Sequence, residues 1–501
     1  MTRSSWRRAA TMAGLILLAA AAGCQTPAPN TPALPSFAVQ ADPDGTIGRL
    51  ATHAMRGAGP GQSALFLLAD GDDALDARLM LIAQAQRSVD LQYYIFRPDG
   101  SGQALTDALK QAAARGVRVR LLLDDWGARP DNAALRRLAS HPNLQVRLFN
   151  PLAHPHAPLL SLLLDFERAQ RRMHNKLLVV DGHAAITGGR NIGDEYFARR
   201  REFVFSDVDM LAFGPVVPGM ATAFDQYWND DAAAVVSATA TDTGVPELPM
   251  PDTPAGRHER FAERLATDAL RRFAAPAKAV HDLPGKVDPA RPQAHSVLGH
   301  EIAPIMGSPR SELLIVSPYF VPGQGGVEQL RALTQQGVRV TVVTNSLAAT
   351  DVPAVHAGYA RYRLPLLHAG VELFEIRADA VGRQVVRTRA GSSRVSLHAK
   401  LMVVDRSTTF VGSMNIDPRS LRLNTENGIV VDSTALADEL VRGVQRDLPR
   451  DAWRVELHGS SLRWTGLQDD REVVLDSEPQ AGLWLRLTTR LMGWLPIEGL
   501  L

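Results

Sequence analysis

Two stretches of the chain decide its fold: RRMHNKLLVVDGHAAITGGRN, residues 171–191, and LHAKLMVVDRSTTFVGSMN, residues 397–415. The second repeats the first at a spacing of 224 residues. His398 and Lys400 match His174 and Lys176, Asp405 matches Asp181, Gly412 matches Gly188, and Asn415 matches Asn191. Each core, LLVV or LMVV, is an apolar run of strand type preceded by an imidazole and an ammonium group two residues apart. Side chains two apart on an extended chain share a face. Burying that pair unpartnered is costly, so an anion is expected beside it. Of the 54 basic residues only 5 are Lys, and two of those five stand in these motifs. An ammonium is a compact charge that sits against one oxygen, whereas a guanidinium is a wide planar fork.

The duplication continues outward. RSVDLQYYIF (87–96) is echoed by RSELLIVSPYF (310–320), and ARGVRVRLLLDD (114–125) by QQGVRVTVVTNS (335–346). The chain therefore holds two copies of one unit of about 170–180 residues. Each copy alternates strands with helices; GQALTDALKQAAAR, for example, has helical spacing and stops at Gly116. That alternation predicts an α/β fold of two duplicated α-β-α sandwich domains with mixed, largely buried sheets, packed about a pseudo-twofold axis. The copies are placed at 59–235 and 295–440. A Pro-, Ala-, Asp- and Thr-rich linker or insert at 236–294 separates them, and 441–501 forms a C-terminal extension.

MTRSSWRR followed by TMAGLILLAAAAG reads as a signal peptide over 1–23, too short for a membrane span. It ends at Cys24, the single cysteine, which resembles the lipid-acceptor cysteine of a bacterial lipoprotein. One cysteine forms no intrachain disulfide. Residues 24–58 begin as a Pro-rich stretch and are expected to be a tether. From this start the protein is expected in a bacterial cell envelope, lipid-anchored at a membrane surface and facing the periplasm. At the other end, GLWLRLTTRLMGWLPIEGLL mixes Trp and Leu with Arg486 and Arg490, which suits either an interfacial helix or a helix packed on the core. The formal net charge is +1, falling to −2 without Arg3, Arg7 and Arg8. A chain so near neutral lacks the basic footprint of a nucleic-acid binder, and no nucleic-acid partner is expected.

Pseudo-twofold packing would set His174 and His398 across one site, flanked by Lys176, Lys400, Asn191 and Asn415. Two cations and two amides suit an anion with a single phosphorus. A neutral imidazole can attack phosphorus and become a phosphohistidine, while the facing imidazole relays the proton. Lysines and asparagines stabilise the charge on the equatorial oxygens. Glu202 and Glu426 each lie 28 residues after a motif histidine. Each is expected to bind the second nitrogen of an imidazole and fix its tautomer. Asp181 and Asp405 end their strands facing away from the histidines and are expected to be scaffold carboxylates. No metal or cofactor is expected: His154 and His156 lack further ligands at suitable spacing, and no Walker lysine follows GSGQ or GPGQGG.

The paired His-x-Lys-x4-Asp-x6-Gly pattern resembles the signature of the phospholipase D superfamily across nearly all of the chain after residue 24. Within it, DLQYYIF, GGRNIGDEYF, FSDVDMLAFGP, NSLAATDVPAVHAGYARYR and GSMNIDPRSLRLNTE resemble cardiolipin synthases. The resemblance implies a phosphatidyltransferase that forms cardiolipin by transfer to phosphatidylglycerol, with phosphatidylethanolamine as a donor. It implies His174 as nucleophile and His398 as acid and base. The same residues would also serve a hydrolytic phospholipase D or, further afield, a secreted phosphodiesterase or nuclease.

Overall fold

The structure, a computed structural model, describes residues 34–128, 132–152, 158–200, 202–237, 257–290, 297–306, 308–380, 394–468, 471–495 and 498–500. The expected signal peptide, Cys24, His154 and His156 lie outside the described residues.

Each half builds a sheet around three parallel strands. In the first half these are Ser88–Tyr93, Arg118–Asp124 and Leu144–Phe149; in the second they are Glu312–Val316, Arg339–Asn345 and Glu372–Ile376. Five of the six are mostly buried, as strands covered on both faces must be, while Glu372–Ile376 alternates between buried and half-buried residues. An antiparallel hairpin then joins the first strand of each set: Leu177–Val180 with Ala184–Gly188, and Leu401–Val404 with Thr408–Gly412. Helices cover the outer faces. Gly71–Gln84 is capped by Asp70, whose side chain accepts from Asp72 N and Asp73 N at 2.9 and 3.0 Å. The inner faces of both sheets share one apolar core that mixes Leu65, Met173 and Met210 of the first half with Val316, Leu401 and Ile429 of the second.

The segment expected to link the halves does more than span them. Arg272–His281 is a strand whose first five residues pair with Gln62–Phe66 and whose last five pair with Asn427–Val431, joining the two sheets into one of 18 strands. RFAAPAKAVH has little strand character in its composition; its backbone hydrogen bonds to two neighbours hold it extended. The expected tether is also shorter than residue 58. Residues 36–38 are hydrogen-bonded to the first half, with Ser36 N donating to Asn229 Oδ1 at 3.0 Å and Ala38 N to Asp225 Oδ2 at 2.8 Å. Thr46–Ala54 is a helix that buries Ile47, Ala51 and Ala54. At the other boundary, residue 441 falls inside the helix Thr434–Asp451. The strands Ala452–His458, Ser461–Gln468 and Arg471–Leu475 extend the second sheet.

Candidate active site

Both motif hairpins are set by the carboxylate that ends them. Asp181 accepts from the backbone N–H groups of Gln86, Arg87 and Ser88 at 2.8–2.9 Å. Asp405 accepts from Arg310, Ser311 and Glu312 at 2.8–3.1 Å. Both aspartates have positive φ, 51° and 50°, at the turn. They hold the start of the neighbouring strand and lie at the far end of the hairpin strand from the histidines. The histidine and lysine themselves precede the regular strands, which begin at Leu177 and Leu401; they occupy extended entry segments.

Those entry segments pair with the other half. Met173 bridges Thr425, and His174 N donates to Thr425 O at 2.9 Å. Reciprocally, Arg394–Leu397 pairs in parallel with Phe203–Ser206, and His398 N donates to Ser206 O at 2.7 Å. Each histidine thus meets a carboxylate from the opposite half. His174 Nδ1 lies 2.8 Å from Glu426 Oε2, and His398 Nδ1 lies 2.5 Å from Asp207 Oδ2.

Glu202 does not do what its spacing suggested. It is exposed, and only its backbone carbonyl takes part, accepting from Arg394 N at 3.1 Å. The first half carries five more residues between Asn191 and its carboxylate than the second carries between Asn415 and Glu426. Gly188 pairs with Asp209, whereas Gly412 pairs with Gly428. The extra residues supply the strand Phe203–Ser206, and Asp207 takes the place that a constant offset assigned to Glu202. Gly189 makes room for it: a Cβ there would fall 2.1 Å from Asp207 Oδ1. In the second half Ser413 stands at that position, and its hydroxyl donates to Glu426.

His174, His398, Asn191 and Asn415 line one cavity of about 360 Å³. Tyr94 packs edge-on against His174 with centroids 5.2 Å apart, and Tyr196 packs likewise against His398 at 5.2 Å. The lysines are buried, and each ammonium donates to the carbonyl of its own motif histidine. Asn427 clasps Lys176 from across the interface, accepting from Lys176 N at 2.9 Å and donating to Lys176 O at 3.1 Å.

Burial dominates the electrostatics. It lowers His174 to about 4 and His398 to about 3; the nearby lysines push the same way and the carboxylates oppose them. Burial lowers Lys176 to about 7 and Lys400 to about 8, with Glu426 and Asp207 holding them up. Charged partners outweigh burial at the two carboxylates: Glu426 is held below its ordinary value and Asp207 falls to about 2. At neutral pH the imidazoles are neutral and the carboxylates ionised. An ionised carboxylate only accepts, so each Nδ1 carries hydrogen and each Nε2 keeps a lone pair. Two such nitrogens facing one cavity suit attack on a tetrahedral phosphodiester, with the two lysines buried behind them as a source of positive charge. Among the described residues no cluster of His, Cys, Asp or Glu could hold a metal ion.

Several lining residues lie in the quoted stretches but are not singled out there as site residues: Tyr94, Tyr319, Asp351, Asp417 and Asn424 come from separate loops and strand ends. Behind the His398–Asp207 pair lies a second, apolar hollow of about 160 Å³. Val208, Leu397 and Ala399, the chain neighbours of the pair, line it together with Leu440 and Val444. In the first half Phe149, Phe224, Tyr227 and Trp228 are fully buried beneath the corresponding strands.

Comparison with known proteins agrees with this fold. The family model for the cardiolipin synthase, phospholipase D-like domain matches residues 79–228 and 302–448, once in each half. Cardiolipin synthase C of Escherichia coli strain K12 is 41% identical over 88% of this chain and 97% of its own length. An uncharacterized protein of Helicobacter pylori is 33% identical over 88% of this chain and 90% of its own length. Among solved structures, the phosphatidylserine synthase of Haemophilus influenzae covers 81% of this chain and 92% of its own, with a TM-score of 0.55 at 15% identity, a likeness of fold. The chain belongs to the cardiolipin synthase family of phospholipase D-like phosphatidyltransferases.

Proposed function

We propose that the protein makes cardiolipin by a two-step transfer through a phosphohistidine on His174. In the first step His174 Nε2 forms a bond to phosphorus and the bond to the head-group oxygen breaks. His398 gives its proton to that oxygen. In the second step a phosphatidylglycerol hydroxyl returns a proton to His398 as its oxygen bonds phosphorus and the P–N bond breaks. His398 is neutral in the empty site, and an anionic phosphodiester beside it favours its protonated form, so the proton arrives with the substrate. Lys176, Lys400, Asn191 and Asn415 offset the charge on the equatorial oxygens. One observation carries this reading: both histidines face one cavity, each braced through Nδ1 by a carboxylate from the opposite half.

Attachment to a membrane surface is part of the proposal. Cys24 would carry the anchor. On the helix Leu483–Met492, Leu483 and Trp484 are 82% and 77% exposed, with Arg490 also in solvent. Trp494 follows at 77%. Leu163, Leu164 and Phe166 add exposed apolar surface on the first half. No described helix is long and apolar enough to cross a membrane. The test is vesicles of labelled phosphatidylethanolamine and phosphatidylglycerol, with products separated by chromatography. Cardiolipin with released ethanolamine is expected. Phosphatidic acid alone would make the enzyme a hydrolytic phospholipase D, and cardiolipin without ethanolamine would restrict the donor to phosphatidylglycerol.

A further inference from the structure

The cavity has two unlike walls. The bridges Phe96–Ile192 and Phe320–Ile416 occupy equivalent places in the two halves. One residue before each Phe stands Ile95 or Tyr319, and one after each Ile stands Gly193 or Asp417. The first-half positions bring no acceptor side chain, and the second-half positions bring a phenol and a carboxyl. The motif asparagines differ in the same sense. Asn191 Oδ1 accepts from Ile95 N at 3.2 Å, whereas Asn415 Oδ1 is buried and accepts no hydrogen bond among the described residues. Asn424, 7% exposed and lining the same wall, also has a buried Oδ1 without a partner among them. Asp351 completes the group and accepts the Tyr319 hydroxyl at 2.8 and 2.9 Å. Asp417, 2% exposed, accepts Ser420 N at 2.6 Å.

Arg419 also lines this wall, with its guanidinium donating to Gln170 Oε1 and Gln170 O, so the acceptors left toward the cavity suit a group that donates hydrogen bonds. The phosphorus belongs within reach of His174 and His398; whatever is attached through the oxygen that His398 protonates must project elsewhere. We infer that Asp351, Asp417 and Asn424 form the head-group subsite, and that it takes an alcohol carrying a second hydrogen-bond donor on the neighbouring carbon. A glycerol head group has a hydroxyl there and an ethanolamine head group an ammonium. The subsite holds this group as it leaves in the first step and holds the acceptor in the second, with its reacting hydroxyl toward His398. Burial lifts the Asp417 carboxyl to about 7 against the hydrogen bond from Ser420, which further suits it to a neutral polyol. This inference rests on the transfer reading above.

The experiment is alcohol competition. Vesicles of phosphatidylethanolamine labelled in its phosphatidyl group are incubated with equal concentrations of glycerol and 1-propanol, and separately of deuterated ethanolamine and 1-propanol, so that every transfer product differs in mass from the starting lipid and can be counted. 1-Propanol lacks the second donor. The wild type should favour glycerol and ethanolamine. Asp417→Asn, which retains a capping oxygen, and Asn424→Leu should each reduce the glycerol-to-propanol product ratio about 2- to 10-fold, the worth of one hydrogen bond. Asp351→Asn should reduce the ethanolamine ratio more than the glycerol ratio if the ammonium is the natural donor, and both equally if the hydroxyl is. A product ratio is independent of how much active enzyme survives, and Asn424→Ser provides a smaller substitution if Asn424→Leu misfolds. Ratios unchanged in all the variants would overturn the subsite while leaving transfer intact. Phosphatidic acid as the sole product with every alcohol, even in the wild type, would overturn the transfer reading itself.

Discussion

The first half braces its partner's histidine with Asp207, and the second does so with Glu426. The two carboxylates arrive by different routes. Glu426 lies one residue before the pairing of Asn427 with the bridging strand, and its own N–H donates to Asp282 Oδ2 at 3.0 Å. Asp207 follows an added strand, Phe203–Ser206, and is a methylene shorter; Gly189 lets it sit close, while the second half keeps Ser413. The difference teaches that duplication preserved the imidazole–carboxylate contact and freed everything around it. Two such halves need not share the chemistry equally.

The sharpest way to break the comparison is to remove one histidine at a time. His174→Ala and His398→Ala should each lower turnover by about 10⁴-fold or more, since one loses the nucleophile and the other the proton relay. After acid-free denaturation, a labelled phosphatidyl group should remain on His174 in the His398→Ala protein, detected by mass spectrometry of the peptide. Label on His398 in the His174→Ala protein would reverse the assignment.

Next come the braces. Glu426→Gln and Asp207→Asn should each reduce kcat about 10²-fold by losing tautomer control. Glu202→Gln should stay near wild type, because that side chain is in solvent. A Glu202→Gln defect as large as that of Asp207→Asn would mean that the constant offset, and not the strand register, marks the functional carboxylate.

The pH profile gives a smaller, signed effect. In the free enzyme His174 loses its nucleophilic lone pair only as it takes up a proton near pH 4. The lysines lose charge as pH rises through about 7 and 8, so kcat/KM should fall on that alkaline limb. Glu426 holds Lys176 up, so Glu426→Gln should shift the limb to lower pH. An unmoved limb in that variant would assign it to another group.

The smallest effect concerns packing. Gly443 lies within the helix Thr434–Asp451 beside the apolar hollow, and an added Cβ would meet nothing nearer than Arg446 Nη2 at 3.9 Å. Gly443→Ala should stabilise the fold by about 1 kcal/mol in denaturant titration. A loss of stability would show that the helix needs glycine there for a reason other than space.

The doubled motif, the alternation of strands and helices and the cationic pair were legible in the sequence because each repeats at one spacing. Asp207 was hidden by the five added residues, which broke that spacing without breaking the register. The head-group wall was hidden for a different reason. Tyr319, Asp351, Asp417 and Asn424 stand inside stretches that the repeat and the family resemblance already mark, yet which of their side chains share one wall is decided only where strand ends and loops converge. The bridging strand was hidden by its own composition, since Ala, Pro and Lys are poor strand residues.

That last feature has a consequence during synthesis. The nascent chain completes Arg272–His281 well before Asn427–Asp432 leaves the ribosome. The part through Pro276 has its partner, Gln62–Phe66, already made, while Ala277–His281 waits as an open edge. An open edge invites pairing with neighbouring nascent chains. Pro276 stands where one partner hands over to the other, and Lys278 projects from the waiting stretch with its side chain 67% exposed. Proline removes a donor and lysine resists close stacking of identical copies. The residues that make this strand poor reading also keep it unpaired until its proper partner emerges.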